Sequence, residues 1–278
     1  MSTTTSASSL IQNAHDEGIL SGVSLAALQI PDIGQAINNA IGSEIEVRAS
    51  EAVHIVMLVD DSGSISYGWD DAAQKNVDNS KLVCDGHNLV IESLRGSKAR
   101  DGIFVTTILL NGTVINAFTH IDDAKLLENG VNYSATGGTP LYDQSVVTIG
   151  SAIAKAQDLS DNGIPCRSVI LIATDGKDEY SRKTRVDGVN SIVKDVLQTE
   201  QYIVAGMGIP GAREGYGGKG LDFREIFEKM GIEKKWILTP GGSQKEIRAA
   251  FQLFSQSATQ ASQNAGTFSK TAIGGFGA

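Results

Sequence analysis

Three oxygen-bearing side chains alternate along the sequence just where an apolar run ends. The stretch VMLVDDSGSIS, residues 56–66, places Asp60, Ser62 and Ser64 at every second position. Because alternate side chains of an extended chain face the same way, these three oxygens can point at one ion. Gly63 lets the backbone turn tightly between them. The spacing therefore predicts part of a cation site.

Two further segments place oxygen donors after apolar runs elsewhere in the chain. Asp175 ends the run SVILIATD, and Thr139 lies in TGGTPLYD, residues 136–143, just before a predicted helix. Ligands bind in open parallel sheets at the carboxyl ends of the strands, so we expect both residues to meet Asp60 at one edge. The set contains carboxylates and hydroxyls without His, Cys or Met, which suits Mg²⁺ or Mn²⁺ rather than zinc or copper. If some of these groups act through water, a carboxylate from another molecule can take the open coordination position.

Each segment also has an ordinary structural interpretation. Asp and Ser are common in turns and at helix starts, Thr139 before Pro140 can cap a helix, and Asp175-Gly176 can form a turn. Alone, the D-x-S-x-S spacing is more often a helix-capping turn than a metal site. Its coincidence with donors at two other strand ends favours the metal site.

The three segments together resemble the metal-ion-dependent adhesion site of von Willebrand factor A (vWA) domains. That motif is D-x-S-x-S, followed by a separate Thr and then a separate Asp. This chain matches every position of the motif, at Asp60, Ser62, Ser64, Thr139 and Asp175. The contexts GGTPLYD and TDGKDEYS are also typical of the family, and the likeness covers about residues 53–255. The resemblance implies divalent-metal-dependent protein binding, usually without catalysis, in which a partner's Asp or Glu completes the metal shell.

A weaker likeness concerns the C-terminal stretch IRAAFQLFSQSATQASQ. It resembles small standalone bacterial vWA proteins linked to tellurium resistance and stress loci. The resemblance implies an adaptor or assembly component of a bacterial complex, with a MoxR-type AAA+ ATPase or a co-encoded stress protein as partner.

Several side chains near the predicted metal loops are candidates for contact with a partner. They are Tyr67, Trp69, Tyr142 and Lys177, with Tyr180 as a further aromatic neighbour. Aromatic residues are enriched in binding hot spots but also pack well in cores, so packing is the alternative for each. The basic run at 181–185 is either a solvated face or a patch that speeds encounter with an acidic partner. The loop at 210–220 is either a flexible surface loop or a mobile rim of the site.

Apolar runs and amphipathic stretches alternate from residue 53 onward. HIVMLVD, SVILIATD and YIVAGMGI are typical of strands buried on both faces, and GIFVTTILL and TVINAF of a hairpin joined by Asn111-Gly112. Helices are predicted between them, including one over about 70–94 that opens with Asp70 and Asp71. The alternation predicts an α/β fold with a doubly wound, Rossmann-like, mostly parallel sheet and one antiparallel edge strand, as in vWA domains.

The remaining segments are predicted to flank one vWA domain over residues 51–258. Residues 1–50 form an N-terminal extension, partly helical or disordered, that either packs on the domain or docks on a neighbouring chain. Residues 259–278 form a C-terminal tail of small residues, which we predict to be mobile or ordered only on a partner.

Composition and charge bound the function further. The net charge of −9 over 278 residues argues against a nucleic-acid or anionic-membrane partner. No Lys or Arg precedes Arg48, so no export leader is expected, and an apolar region broken by Pro31 and Asp32 is not expected to span a bilayer. Cys84 and Cys166 lie in no metal-binding array, and we expect two reduced thiols in a cytoplasmic protein.

Two other functions compete with a binding module. Strands that end in Asp60 and in Thr174-Asp175 resemble Mg²⁺-dependent phosphatases with an aspartyl nucleophile, but that family needs Asp-x-Asp and Ser62 takes the second position here. No Ser/His/Asp or Cys/His nucleophile set is evident, and the four histidines show no ligand spacing. The other alternative is a structural protein that assembles into homo-oligomers through its terminal segments. The sequence therefore predicts a non-enzymatic binding module and leaves self-assembly open.

Overall fold

The main β-sheet is mixed and has six strands in a computed structural model of the protein. The structure describes residues 5–42, 47, 49–70, 75–210 and 221–276. The strands of these residues are β1 (Ala52–Val59), β2 (Gly68–Asp70), β3 (Lys75–Val77), β4 (Ile103–Leu109), β5 (Val114–His120), β6 (Cys166–Thr174), β7 (Tyr202–Gly208) and β8 (Ile237–Leu238). The main sheet has the order β5-β4-β1-β6-β7-β8, while β2 and β3 form a separate ribbon. The predicted α/β class with a mostly parallel sheet is confirmed.

Nine α-helices in the described residues connect and cover these strands. They are α1 (Ala7–Asp16), α2 (Gly22–Leu28), α3 (Pro31–Ile41), α4 (Ser80–Arg95), α5 (Leu141–Asp161), α6 (Val186–Leu197), α7 (Phe223–Lys229), α8 (Gln244–Ala261) and α9 (Ala265–Gly274). Within this part of the chain, we find no helix that combines the length and the apolar character needed to cross a membrane.

The predicted buried strands form the centre of the sheet. Every residue of β1 is buried, and the strand pairs in parallel with β4 on one side and with β6 on the other. β6 continues in parallel to β7, and β7 to β8. Burial on both faces explains why these strands are continuous apolar runs rather than alternating ones. Because Val59 pairs with Ala173, β1 and β6 end at the same edge of the sheet.

Helices cover both faces of the sheet, as two adjacent threonines of β4 show. Neighbouring residues of a strand point to opposite faces. Thr106 hydrogen-bonds His54 at 2.8 Å, on the face where the charge of Lys155 from α5 reaches this histidine. Thr107 hydrogen-bonds His87 of α4 at 3.0 Å on the other face. α4 and α5 therefore lie on opposite sides of the sheet.

The antiparallel edge strand predicted from Asn111-Gly112 is confirmed. β4 and β5 pair antiparallel, and their turn closes with the Leu109 N–H donating to the Thr113 carbonyl at 2.9 Å. Gly112 has a φ of 89°, a left-handed conformation that glycine adopts without steric cost. This turn lies at the same edge as the ends of β1 and β6, since the Leu110 N–H donates to the Val59 carbonyl.

Helix α4 begins later than the sequence pattern predicts. The ribbon of β2 and β3 occupies the start of the predicted helix at 70–94. Asp70 therefore lies in a strand, and its predicted role as a helix-start acid is wrong, while Asp71 lies outside the described residues. The helix starts at Ser80, whose N–H donates to the carboxylate of Asp78 at 2.8 Å. Asp78 supplies the acid that favours this helix start.

The N-terminal extension packs on the rest of the same chain. α1 and α3 lie against α5, and α2 lies against α6. Gly150 of α5 permits the close approach, because a Cβ there would lie 2.6 Å from the Cδ1 of Ile37 and 2.7 Å from the Cδ2 of Leu28. On α6, Asp195 accepts hydrogen bonds from the Ser21 hydroxyl at 2.7 Å and the Ser21 N–H at 2.8 Å. Of the two alternatives for this segment, the structure shows packing on its own domain.

The C-terminal segment is helical and packed. α9 follows α8, with a reciprocal side-chain cap at Asn264. Phe268 of α9 is fully buried, and Phe276 packs edge-on against Trp236 with ring centroids 4.8 Å apart. The prediction of a mobile tail over 259–278 is therefore wrong for the described residues, which end at 276, because two phenylalanines among the small residues anchor the segment on the domain.

Candidate metal centre

Three loops meet at the edge where β1 and β6 end. The N–H of Gly63, in the turn after β1, donates to the carbonyl of Gly137 at 2.9 Å. The N–H of Gly137 donates in turn to the carbonyl of Asp61 at 3.0 Å. These two bonds tie the loop that carries Thr139 to the turn that carries Asp60 and the two serines.

Asp60 is buried and fixed by three hydrogen bonds. Its Oδ1 accepts from the N–H of Ser62 at 2.7 Å. Its Oδ2 accepts from the hydroxyl of Thr174 at 2.6 Å and from the N–H of Asp175 at 3.1 Å. One carboxylate therefore shapes the turn after β1 and also joins it to the end of β6.

Asp175 lies against both predicted serine ligands. Its Oδ1 accepts from the Ser64 hydroxyl at 2.7 Å and more distantly from Ser62 at 3.4 Å, and the two serine oxygens are 2.9 Å apart. Its Oδ2 is buried with no hydrogen-bond partner among the described residues. Burial, and then the charge of Asp60, raise the pKa of Asp175 to about 8. The site therefore contains a carboxylate oxygen whose bonding capacity is not met.

Thr139 joins the group from the third loop. Its carbonyl accepts from the N–H of Glu179 at 3.1 Å and of Tyr180 at 3.4 Å, which ties it to the loop after β6. Its hydroxyl lies beside Gly176, where a Cβ would be 3.6 Å from Thr139 Oγ1. Of the side chains predicted to bind the metal, the structure joins Asp60, Ser62, Ser64 and Asp175 by hydrogen bonds and places the Thr139 hydroxyl beside Gly176, the residue that follows Asp175.

This donor set fits a hard divalent cation. Across the residues that the structure describes, no three His, Cys, Asp or Glu side chains are arranged to hold a metal ion, so a cation here needs the hydroxyls as well as the carboxylates. Mg²⁺ and Mn²⁺ accept such oxygen ligands and retain waters. A cation would also offset the repulsion between Asp60 and Asp175 and satisfy the free oxygen of Asp175.

Two residues beside the site were not predicted from the sequence. Asp61 is buried; its Oδ1 accepts from the Asn111 N–H at 3.0 Å, and its Oδ2 has no hydrogen-bond partner within the described ranges. Burial is the main cause that raises the pKa of Asp61 to about 6, against the Asn111 bond, which lowers it. The hydroxyl of Tyr133 donates to the carbonyl of Asp60 at 2.6 Å. The only indication in the sequence that Asp61 could belong to the site is its position directly after Asp60. No motif in the sequence indicates Tyr133.

Asp143, at the start of α5, holds the loop at 176–185. Its carboxylate accepts from the backbone N–H groups of Arg182 at 2.9 Å, Lys183 at 3.1 Å and Thr184 at 2.7 Å. The loop is therefore wrapped around the N-terminus of the helix that follows Thr139. The sequence context GGTPLYD includes this aspartate, but its spacing alone gave no role for it.

The predicted contact residues differ in exposure. Tyr67 is 62% exposed and Lys177 is exposed, so both are accessible at this edge. Tyr142 is half-buried, and burial raises the pKa of its phenol. The side chain of Trp69 and the loop at 211–220 lie outside the described residues.

Comparisons with known proteins bear on the fold. No protein-family model and no curated protein matches the sequence. The chain is similar in structure to the pilus adhesin SpaC from Lactobacillus rhamnosus GG, at 12% identity and a TM-score of 0.50, over 76% of this chain and 31% of that one. It is also similar to a variant of the PilB minor pilin from Streptococcus sanguinis, at 13% identity and a TM-score of 0.51, over 78% of this chain and 64% of that one. This chain spans less than two thirds of either protein, and at such identity the likeness concerns the fold alone.

Proposed function

We propose that the protein is a vWA domain, doubly wound and Rossmann-like, that binds Mg²⁺ or Mn²⁺ at the carboxyl edge of its sheet. The metal-binding side chains are Asp60, Ser62, Ser64, Thr139 and Asp175. An Asp or Glu of a partner protein completes the metal shell. The function is therefore divalent-metal-dependent protein binding, without catalysis.

The free oxygen of Asp175 is the observation that carries this proposal. Asp175 is 1% exposed, and its Oδ2 has no hydrogen-bond partner within the part of the chain that the structure describes. A buried carboxylate left in this way is costly, so it either takes up a proton, as the raised pKa of Asp175 indicates, or binds a cation. A divalent cation would offset the repulsion between Asp60 and Asp175 and satisfy this oxygen.

The charges favour a carboxylate as the final ligand. Mg²⁺ takes six oxygens, and five side chains leave at least one position for water or for another molecule. Three of the five proposed ligands are neutral hydroxyls, which offset none of the charge of the ion. Ser64 is half-buried and Tyr67 beyond it is exposed, so the open side of this group faces the surface. An anionic oxygen that approaches from solvent therefore gains more from the ion than a neutral one.

The phosphatase alternative has less support. Its acid/base position is occupied by Ser62, whose hydroxyl is hydrogen-bonded to Ser64. His54 of β1 and His87 of α4 are buried against threonine hydroxyls of β4, and burial lowers the pKa values of these histidines to about 3 and 4. They are neutral at physiological pH and are held away from the site.

The partner that we propose is a protein of a bacterial complex, such as a MoxR-type AAA+ ATPase or a co-encoded stress protein, in the cytoplasm. We place the contact at the metal edge rather than at the termini. α1, α3 and α9 bury apolar side chains on their own domain. These side chains are therefore not available for contact with a second copy, which weakens the self-assembly alternative.

Manganese binding tests this proposal. Free Mn²⁺ gives an electron paramagnetic resonance signal that is lost on binding, and we expect one bound ion that Mg²⁺ displaces. Ser64→Ala removes one ligand and should weaken binding by about tenfold or more. Ser66→Ala is the matched control, because Ser66 lies in the same turn but donates to the Ala135 carbonyl at 3.2 Å. Absence of Mn²⁺ binding, or equal affinity in the two variants, would refute the proposal.

A further inference from the structure

The loop at 176–185 forms one side of the proposed binding face. It leaves β6 directly after Asp175, and the N–H groups of Glu179 and Tyr180 donate to the carbonyl of Thr139. Both neighbours of the loop are residues that we propose to bind the metal. A partner that places a carboxylate on the ion must therefore lie against this loop.

Two carboxylates at the base of this loop, Asp178 and Asp143, accept hydrogen bonds from within the protein. Asp178 accepts from the Tyr142 N–H at 3.2 Å and from the Ser181 hydroxyl at 2.5 Å. Asp143 accepts from three successive N–H groups of the loop. Both carboxylates lie at the N-terminus of α5, where the helix dipole favours negative charge. Their charge is therefore directed toward the helix and the backbone.

Most cationic side chains of the loop have no acidic partner among the described residues. Lys177, Arg182 and Arg185 are exposed and form no ion pair with any residue that the structure describes, whereas Lys183 pairs with Asp32 of α3. Glu179 is the exposed acid among them. In a chain of net charge −9, this loop is a local concentration of positive charge beside the proposed cation.

The backbone of the loop and the ring of Tyr180 are held in place. Arg182 carries its side chain from a backbone position that is bonded to Asp143. The ring of Tyr180 lies on Gly138, where a Cβ would be only 2.7 Å from the ring, and the side chain is still 56% exposed. Groups held in advance lose little entropy on binding, so their contacts are realised more fully. Gly138 therefore creates the space in which an aromatic surface stands next to Thr139.

We infer that the partner presents an acidic segment, in which one carboxylate binds the metal and neighbouring Asp or Glu side chains face Lys177, Arg182 and Arg185. Tyr180 packs against the aliphatic part of this segment. The inference rests on the proposed function and specifies the partner's chemistry. Several cations spread along a loop suit several spaced carboxylates, whereas one phosphate group needs donors that converge. The overall negative charge opposes the approach of a nucleic acid.

Labelled synthetic peptides test the inference by fluorescence anisotropy with Mg²⁺ and with chelator. One peptide has an Asp flanked by Glu residues, a second has the same Asp flanked by Gln, and a third has a phosphoserine in place of the Asp, flanked by Gln. We expect the Glu-flanked peptide to bind most tightly, only with Mg²⁺, and more weakly as salt is added. In Arg182→Gln/Arg185→Gln, its affinity should fall about tenfold, and the preference over the Gln-flanked peptide should disappear.

The matched control is Lys98→Gln/Arg100→Gln, which removes two exposed cations before β4, at the opposite edge of the sheet. This variant should bind like the wild type. The inference is overturned if both double variants bind equally, if the two Asp peptides bind equally to the wild type, or if the phosphopeptide binds most tightly. In any of these cases, a retained Mn²⁺ site would leave the proposed function standing, whereas loss of that site would remove both.

Discussion

Asp175→Asn should make the metal-free protein more stable at pH 8 and should abolish its response to Mg²⁺. An amide has the shape of the carboxylate and keeps an acceptor for the Ser64 hydroxyl, but it carries no charge beside Asp60. Burial, and then the charge of Asp60, raise the pKa of Asp175 well above its usual range. A buried charge without a counter-charge costs the native state about 3–5 kcal/mol, so ionised Asp175 destabilises the metal-free protein.

The net gain is smaller because the amide has a cost of its own. An N–H group without a partner in this buried place costs about 1–3 kcal/mol. The difference leaves the variant more stable than the wild type in chelator by about 2 kcal/mol. Magnesium at about 100 times its dissociation constant should stabilise the wild type by about 2.7 kcal/mol and the variant by almost nothing.

Urea unfolding at pH 8, with Mg²⁺ and with chelator, measures these differences. Asp101→Asn is the control: its carboxylate is exposed just before β4, at the opposite edge of the sheet, and this change should alter neither value. A variant Asp175→Asn that is less stable than the wild type in chelator, or that responds to Mg²⁺ as the wild type does, would refute this account of the site.

Three other predictions follow from the packing and the buried groups. Asp60→Ala should destabilise the protein even in chelator: three buried donors lose their acceptor, which costs about 3–6 kcal/mol, and the lost repulsion with Asp175 offsets only part of this cost, so equal or greater stability in urea would contradict the prediction. His54 and His87 have folded pKa values of about 3 and 4, below the usual 6.5, so the stability they contribute is present above pH 6.5 and is lost as the pH falls toward 4. Thermal melts should therefore show declining stability below pH 6.5; a flat acid limb would count against these neutral histidines. Gly150→Val should drive Ile37 off α5 at a cost of about 1–3 kcal/mol and should increase hydrogen exchange in α3, whereas unchanged exchange would show that the extension is not held here.

The strand ends were predictable because they depend on local pattern. A strand buried on both faces needs a continuous apolar run, and its end is visible where charge begins, as at Asp60 and Asp175. The hairpin at Asn111-Gly112 was predictable because the turn needs a residue that tolerates positive φ. The proximity of Asp60 and Asp175 was predictable for the same reason, because parallel strands end at one edge of a sheet.

The errors have a different origin. The sequence around Asp70 shows acids before an apolar pattern, which is typical of a helix start. The pairing of β2 with β3 shows instead that this segment is a ribbon and that the helix starts after Asp78. The C-terminal segment contains mostly small residues, which predicted a mobile tail. Phe268 is nevertheless buried, because it packs against residues from other parts of the chain. Asp61 is next to a predicted ligand, and its burial depends on the distant turn at Asn111. Each of these features depends on contacts between segments far apart in the sequence.

The two carboxylates of the site have different roles, and the hydrogen bonds show the division. Both oxygens of Asp60 already accept from the protein, so Asp60 is held in a fixed position and has less bonding capacity left for an ion than Asp175 has. Asp175 has one oxygen engaged by Ser64 and one oxygen free, so it can bind a cation directly or through a water. An ion at this point would join the turn after β1 to the loop after β6, and that loop carries Tyr180 and Arg182. Metal binding should therefore steady the same segment that a partner touches, so a partner and the metal would each strengthen the binding of the other.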